Sequence, residues 1–143
     1  LVADLGLAQR GFQDEQELIG RAKTAGALHR ADDHRAGVLQ QLLEHLARLL
    51  RDNIRESDRV ARYGGEEFIV LMPQTSLTQA TALADRLRAM VFEATPASIS
   101  IGCAIRDPGE TAGSVLKRAD DLLLSAKRTG KNAVRSSTLR RSA

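Results

Sequence analysis

The chain is predicted to fold as an α/β domain, a central, mostly antiparallel sheet with flanking helices. Segments with apolar residues at helical spacing alternate with shorter strand candidates, the arrangement from which layered α/β domains are built. One pair of strand candidates, Val60-Ala61 and Phe68 to Met72, flanks Gly64-Gly65, and Gly-Gly is among the few pairs that accept the positive φ values of a two-residue hairpin turn. The length of 143 residues, with 43% apolar and 27% charged, suits one domain with a sizeable core.

Taken in order, Phe12 to Ala25 reads as an amphipathic helix, with Phe12, Ile19 and Ala22 on one face and Gly26 as its stop. Ala27 to His34 is too short and too polar for a central strand, because His29-Arg30 interrupts the apolar run such a strand needs. Asp32 and Asp33 are placed to cap the next helix, Arg35 to Asn53, whose Val38, Leu39, Leu42, Leu43, Leu46, Leu49 and Leu50 share one broad face. After the hairpin, Ser76-Leu-Thr-Gln79 is a capping box opening a helix through Phe92. Ala97 to Ile105 alternates with period two, as a half-covered strand should, and Asp107-Pro108-Gly109 is a turn. A helix from Thr111 or Ser114 to Arg128, stopped by Gly130, and a short strand from Asn132 to Arg135 complete the pattern.

Residues 1–134 are therefore expected to form the domain and the basic stretch 135–143 a disordered tail. A chain beginning at Leu1 is expected to be a piece of a longer protein. No signal peptide and no apolar run of roughly 20 residues is visible, which predicts a cytoplasmic fragment without membrane contact. Cys103, the single cysteine, falls in a strand and is expected to be a small buried residue. The net charge is +3 and the pI about 9.5, yet aromatic residues are only 3% and Trp is absent, so the stacking platforms of a nucleic-acid binder are missing. Small anionic nucleotides suit this balance better than a polymer.

The hairpin carries the chemistry. Glu66 and Glu67 follow the glycines at the start of the outgoing strand and should point to opposite faces of the sheet. A turn without β-carbons beside a carboxylate admits a phosphate closely, while a divalent cation bridges phosphate and carboxylate. The alternative is an exposed hairpin tip with two solubilising glutamates.

Gly64-Gly65-Glu66-Glu67-Phe68 resembles the signature of the GGDEF (here GGEEF) family, the diguanylate cyclases, and Arg55-Glu-Ser-Asp58 lies upstream at the spacing of that family's product-binding RxxD motif. Ser98-Ile-Ser-Ile-Gly102 and Arg118-Ala-Asp120 through Lys127 to Gly130-Lys131-Asn132 are similar to two further family stretches, with Leu124 for the usual Tyr and Lys131 for Arg. Asp4-Leu5-Gly6-Leu7-Ala8-Gln9-Arg10 resembles a worn form of the family's entry motif, and Ala31-Asp32-Asp33-His34 a compressed form of its Asp-x-Asp-His, which in the family ends a central strand. The guanine-contacting elements that should follow are absent, so 1–37 reads as shortened or degenerate.

The resemblance implies the palm-like fold of nucleotide cyclases and the condensation of two GTP into cyclic di-GMP with loss of pyrophosphate. Each domain would hold one GTP, which requires a homodimer, and an upstream sensor or receiver domain in the parent chain would govern it. It implies Glu66 and Glu67 as catalytic acids and Glu67, with Asp32, as ligands of Mg²⁺, for which Mn²⁺ can substitute. Gly64 and Gly65 would lie against the nucleotide, Lys127 and Lys131 would hold its terminal phosphates, and Arg55, Asp58 and Arg86 would form the product-inhibition site. The residues leave two alternatives open: Lys127 and Lys131 also suit a helix C-terminus, and Arg55 with Asp58 also suits a surface ion pair worth ~0–1 kcal/mol. The shortened 27–37 segment further leaves open a domain with impaired or no catalysis that serves as a cyclic di-GMP receptor or regulatory module.

Overall fold

In the computed structural model, residues 2–9, 28–63 and 65–137 are described. They form five strands and three helices in the order β1 (Val2–Gln9), α1 (Leu28–Asp52), β2 (Arg59–Arg62), β3 (Glu67–Leu71), α2 (Leu77–Ala94), β4 (Ala97–Ala104), α3 (Ala112–Arg128) and β5 (Val134–Ser136). The sheet order is β2-β3-β1-β4-β5, antiparallel except for the β4–β5 pair at one edge. The predicted α/β class, a mostly antiparallel sheet with flanking helices, is the fold observed.

The central strand that the sequence reading did not find at 27–34 is β1. β1, read above as an entry motif, runs between β3 and β4 and pairs with every residue of β4, from Val2 opposite Ala104 to Gln9 opposite Ala97. The segment expected to carry a remnant of that strand opens α1 instead, since Leu28-His-Arg-Ala is made of residues with modest or good helix propensity and no β-branched residue. Asp32 consequently lies inside α1, neither at a strand end nor at the helix N-cap. The helix expected over 12–25 lies outside the described residues.

The two faces of the sheet differ. Phe68, Val70, Ile99, Ile101 and Cys103 face α1 and α2 and join Leu43, Leu46, Leu50, Ala84, Leu87 and Val91 in the main core. On the other face Ala104 packs with Val115 and Ala119 of α3, with Ile69 alongside. All eight residues of β4 are buried, so the expected half-covered strand is covered on both sides. Its even positions, Ser98, Ser100 and Gly102, are small because α3 lies directly on them: a Cβ at Gly102 would stand 2.6 Å from Leu123 N and closer still to Ala119 O. Burial pushes the Cys103 thiol up to about 12, which fits an inert core residue.

The caps follow the local sequence. Ser76 Oγ accepts from Gln79 N at 3.2 Å while Ser76 N donates to Gln79 Oε1 at 2.9 Å, a complete capping box for α2. Thr111, rather than Ser114, caps α3, its side chain accepting from Ser114 N. The end of α3 is a left-handed turn at Gly130 (φ 112°), with Lys131 N donating to Ala126 O and Thr129 N to Ser125 O. β5 includes Arg135 and Ser136, so the first residues of the expected tail belong to the sheet. Between β4 and α3, Glu110 accepts from Arg118 Nε (2.8 Å) and Nη2 (2.6 Å), Asp107 N (2.9 Å) and Ser114 Oγ (2.9 Å). The Arg118 hydrogen bonds, with that from Asp107 N, hold the Glu110 carboxyl down at about 2.

Two outcomes are expected. Gly102→Ala forces β4 and α3 apart and should lower unfolding free energy by about 1–3 kcal/mol, measured by urea titration; an unchanged midpoint would contradict the close approach. Because the folded-state pKa of Glu110 lies below its ordinary 4.5, its contribution is complete above that value and is lost as pH falls toward 2. Glu110→Gln should therefore lower the thermal midpoint at pH 7, with the gap to the unsubstituted chain closing over that acid range.

Candidate functional site

The hairpin is wider at its tip than a two-residue turn. The last ladder pair is Arg62 with Phe68, and Tyr63 N donates to Glu67 O at 2.8 Å, so residues 63–66 form the loop. Gly64 lies outside the described residues. The Arg62 guanidinium donates to Gly65 O through Nε (3.1 Å) and Nη2, closing the loop on itself. Among the described residues, nothing lies within 4 Å of a Cβ built on Gly65. Packing against the described residues therefore does not require a glycine there.

Of the two glutamates only Glu67 is in β3, with Glu66 in the loop. Position 67 falls on the α3 face with Ile69, and Lys127, in the last turn of α3, brings Nζ to 3.9 Å from Glu67 Oε1. The two side chains are 35% and 30% exposed, close enough to feel each other and open to a ligand. The fold thus joins two residues 60 positions apart that the sequence reading assigned to one site. Lys131, exposed, follows Gly130 with φ 59°, and Asn132 continues with φ 45°. Consecutive non-glycine residues in this region cost roughly 1–2 kcal/mol each, and Asn132 is held there by Arg88, whose Nη1 donates to Asn132 Oδ1 at 3.2 Å.

Asp32 is not part of this assembly by the reasoning that proposed it. α1 packs through Leu43, Leu46 and Leu50 on the sheet face opposite to Glu67. The register offers another acid. Gly6 pairs with Glu67 and Asp4 with Ile69, so position 4 of the central strand shares the face of Glu67, one pair along on the neighbouring strand. The signal was present: one acid within the otherwise apolar Val2-Ala-Asp-Leu run. Among the described residues no group of three His, Cys, Asp or Glu side chains is gathered around a point where a metal could sit. A few hard carboxylate oxygens fit Mg²⁺, which keeps water and is usually completed by substrate phosphate.

The product-site candidates converge elsewhere. Arg86 Nη2 donates to Asn53 O at 3.0 Å, which brings α2 to the turn that runs from Asn53 to Asp58. Asp58 is 4% exposed and closes that turn: its Oδ2 accepts from Arg55 N at 3.1 Å, and Asp58 N donates to Arg55 O at 3.0 Å. The carboxylate therefore serves the backbone rather than a surface ion pair with the Arg55 guanidinium, and its Oδ1 has no hydrogen-bond partner among the described residues.

The model of the diguanylate cyclase GGDEF domain matches residues 34–133, and the chain belongs to the GGDEF family. It is 37% identical over 139 residues to diguanylate cyclase DgcP of Pseudomonas aeruginosa, a match covering 82% of this chain and 20% of that protein. It is 40% identical over 105 residues to the response regulator PleD of Caulobacter vibrioides, covering 66% of this chain and 23% of PleD. The chain thus spans a fifth to a quarter of these relatives. Among solved structures it resembles the GGDEF domain of DgcB from Caulobacter crescentus in complex with c-di-GMP, with TM-score 0.68, 26% identity, and 94% of this chain and 75% of that one covered. For diguanylate cyclase SiaD of Pseudomonas aeruginosa, solved with its activator SiaC, the TM-score is 0.70 and the identity 30%, over 95% of this chain and 49% of that one. These neighbours establish the palm-like cyclase fold. No helix among the described residues is long and apolar enough to cross a membrane.

Proposed function

We propose that this chain is a diguanylate cyclase domain that joins two GTP into cyclic di-GMP. The observation that carries the reading is the pairing of Glu67 with Lys127 beside Gly65, a glycine that packing against the described residues does not explain. An acid and a cation 3.9 Å apart at the rim of an open, β-carbon-free surface suit a metal–phosphate ligand.

In this reading Glu66 and Glu67 present carboxylate oxygens to the metal edge of the nucleotide, and Gly65 lets the backbone approach the phosphates. Lys127 and Lys131 hold the terminal phosphates as point charges and oppose the charge that develops on the leaving group. Mg²⁺, or Mn²⁺ in its place, would lower the pKa of the attacking 3′-hydroxyl and neutralise phosphate charge when bound. Each 3′-oxygen attacks the α-phosphorus of the other GTP, loses its proton, and displaces pyrophosphate by cleavage of the α–β bridge. Since one domain holds one GTP, two copies must face each other, and a sensor or receiver domain elsewhere in a parent chain would bring them together; the response regulator PleD is a relative of that kind. Arg55, Asp58 and Arg86 form a product-binding site in this account, with the exposed Arg55 guanidinium offered to the product and the buried Asp58 carboxylate holding the turn that carries it.

A receptor without catalysis is the second reading, favoured by a family match that starts only at residue 34. The β1 strand weakens this reading, because it supplies the central strand that the sequence reading found missing.

The experiment is calorimetry with GTP and Mg²⁺, followed by assay of pyrophosphate and cyclic di-GMP at high protein concentration. Glu67→Ala should weaken metal-dependent GTP binding at least about tenfold, the scale expected for losing a metal ligand, and Gly65→Ala should weaken it while leaving stability within about 0.5 kcal/mol. Metal-dependent binding that survives Glu67→Ala returns the hairpin to a solubilising tip. GTP binding without any product at high concentration selects the receptor. Separately, Arg55→Ala should weaken cyclic di-GMP binding without changing GTP affinity; unchanged cyclic di-GMP affinity would remove the product site.

A further inference from the structure

We infer that Arg88 and Asn132 form a clamp that positions Lys131 for phosphate, an inference that rests on the phosphate role of Lys131 proposed above. Lys131 lies in a run of three left-handed residues, Gly130, Lys131 and Asn132, two of which carry side chains that disfavour this conformation. Such a run persists only where its surroundings hold it. From the helix side, Lys131 N is tied to Ala126 O and the Arg135 Nη2 to Thr129 Oγ1. From the other side, Asn132 Oδ1 accepts from Arg88 Nη1.

Arg88 is suited to act as the fixed end. Its side chain is 24% exposed, and its Nε donates to Asp85 Oδ1 at 2.9 Å, so the guanidinium is already oriented by its own helix before it meets Asn132. Arg88 belongs to α2, which packs with the main core, whereas Lys131 follows α3, which covers the opposite face. The bond at 3.2 Å therefore reaches around the β5 edge of the sheet and joins the two layers next to Lys131. An exposed lysine on a loose turn would lose most of its electrostatic advantage to conformational averaging. One whose neighbouring residue is pinned keeps its stem in one direction, which lowers the ordering cost of meeting a phosphate. Arg88 and Asn132 are positioning residues here; neither touches the nucleotide.

Asn132→Gly separates backbone from side chain, because glycine accepts the left-handed conformation without strain and only the bond to Arg88 is lost. Arg88→Met removes the same bond from the other end, leaving Asp85, which is 63% exposed, in solvent. In calorimetry of the whole chain with GTP and Mg²⁺, each substitution should weaken binding about three- to tenfold, and the double substitution no more than either alone, as for two ends of one interaction. In a Lys131→Met background, Asn132→Gly should have no further effect. Unchanged affinity in Asn132→Gly and Arg88→Met, with Lys131→Met weakened, overturns the clamp alone. A loss that persists in full in the Lys131→Met background marks a general structural effect and also overturns it. If Lys131→Met itself binds GTP like the unsubstituted chain, the clamp and the phosphate role of Lys131 fall together.

Discussion

The arrangement of this domain depends on how closely α3 lies against β4. At Gly102 a β-carbon would collide with the backbone of Ala119 and Leu123, so the helix rests nearer the sheet than any side chain would allow. Ser98 and Ser100 on the same face are also small, and both are buried. Close seating fixes the height of α3 along its length, and its last turn then places Lys127 beside Glu67 rather than above it. The Glu110–Arg118 cluster anchors the opposite end of the helix to the loop that leaves β4. A helix pinned at its start and seated on glycine in its middle has little freedom left at its C-terminus.

This packing also explains why β4 was half read. Its alternation of Ser98, Ser100 and Gly102 with Ile99, Ile101 and Cys103 is the pattern of a strand with one wet face, and the period was right. Polar here meant small, however, and small residues on a sheet serve close helix packing as well as they serve solvent. Periodicity distinguishes the two faces without saying what covers either. Helix starts were legible for the opposite reason: Ser76 with Gln79 and Thr111 with Ser114 act within one turn, and nothing distant is needed to decide them.

The N-terminal end and the turns depend on non-local contacts that a local stretch of sequence does not contain. Val2–Gln9 carries no strong β signal, with alanine and glycine among its residues, and becomes the central strand because β3 and β4 offer it two complementary edges. The acid at position 4 was in view, but its value depends on a register that places it across from Ile69 and one pair from Glu67. Arg55 and Asp58, matched to a product-binding motif, also suit a surface ion pair by sequence. The fold uses the carboxylate to close the turn through Arg55 N and leaves the guanidinium outside. The hairpin forms where the sequence places it, and the compressed motif at Asp32, which resembles a strand end, falls in a helix.

Helix α2 ties these parts together in a way that no single motif reveals. Arg86 and Arg88 are two residues apart, and at 3.6 residues per turn their side chains leave the helix on roughly opposite sides. One reaches Asn53 O at the turn that holds Arg55 and Asp58; the other reaches Asn132 beside Lys131. The same turn of one rigid helix therefore touches both the candidate product site and the candidate phosphate turn, and the separation between them is set by helix geometry rather than by a flexible loop. Between these contacts Leu87 is buried in the main core, so α2 cannot slide to satisfy one arginine without disturbing its packing and the other arginine.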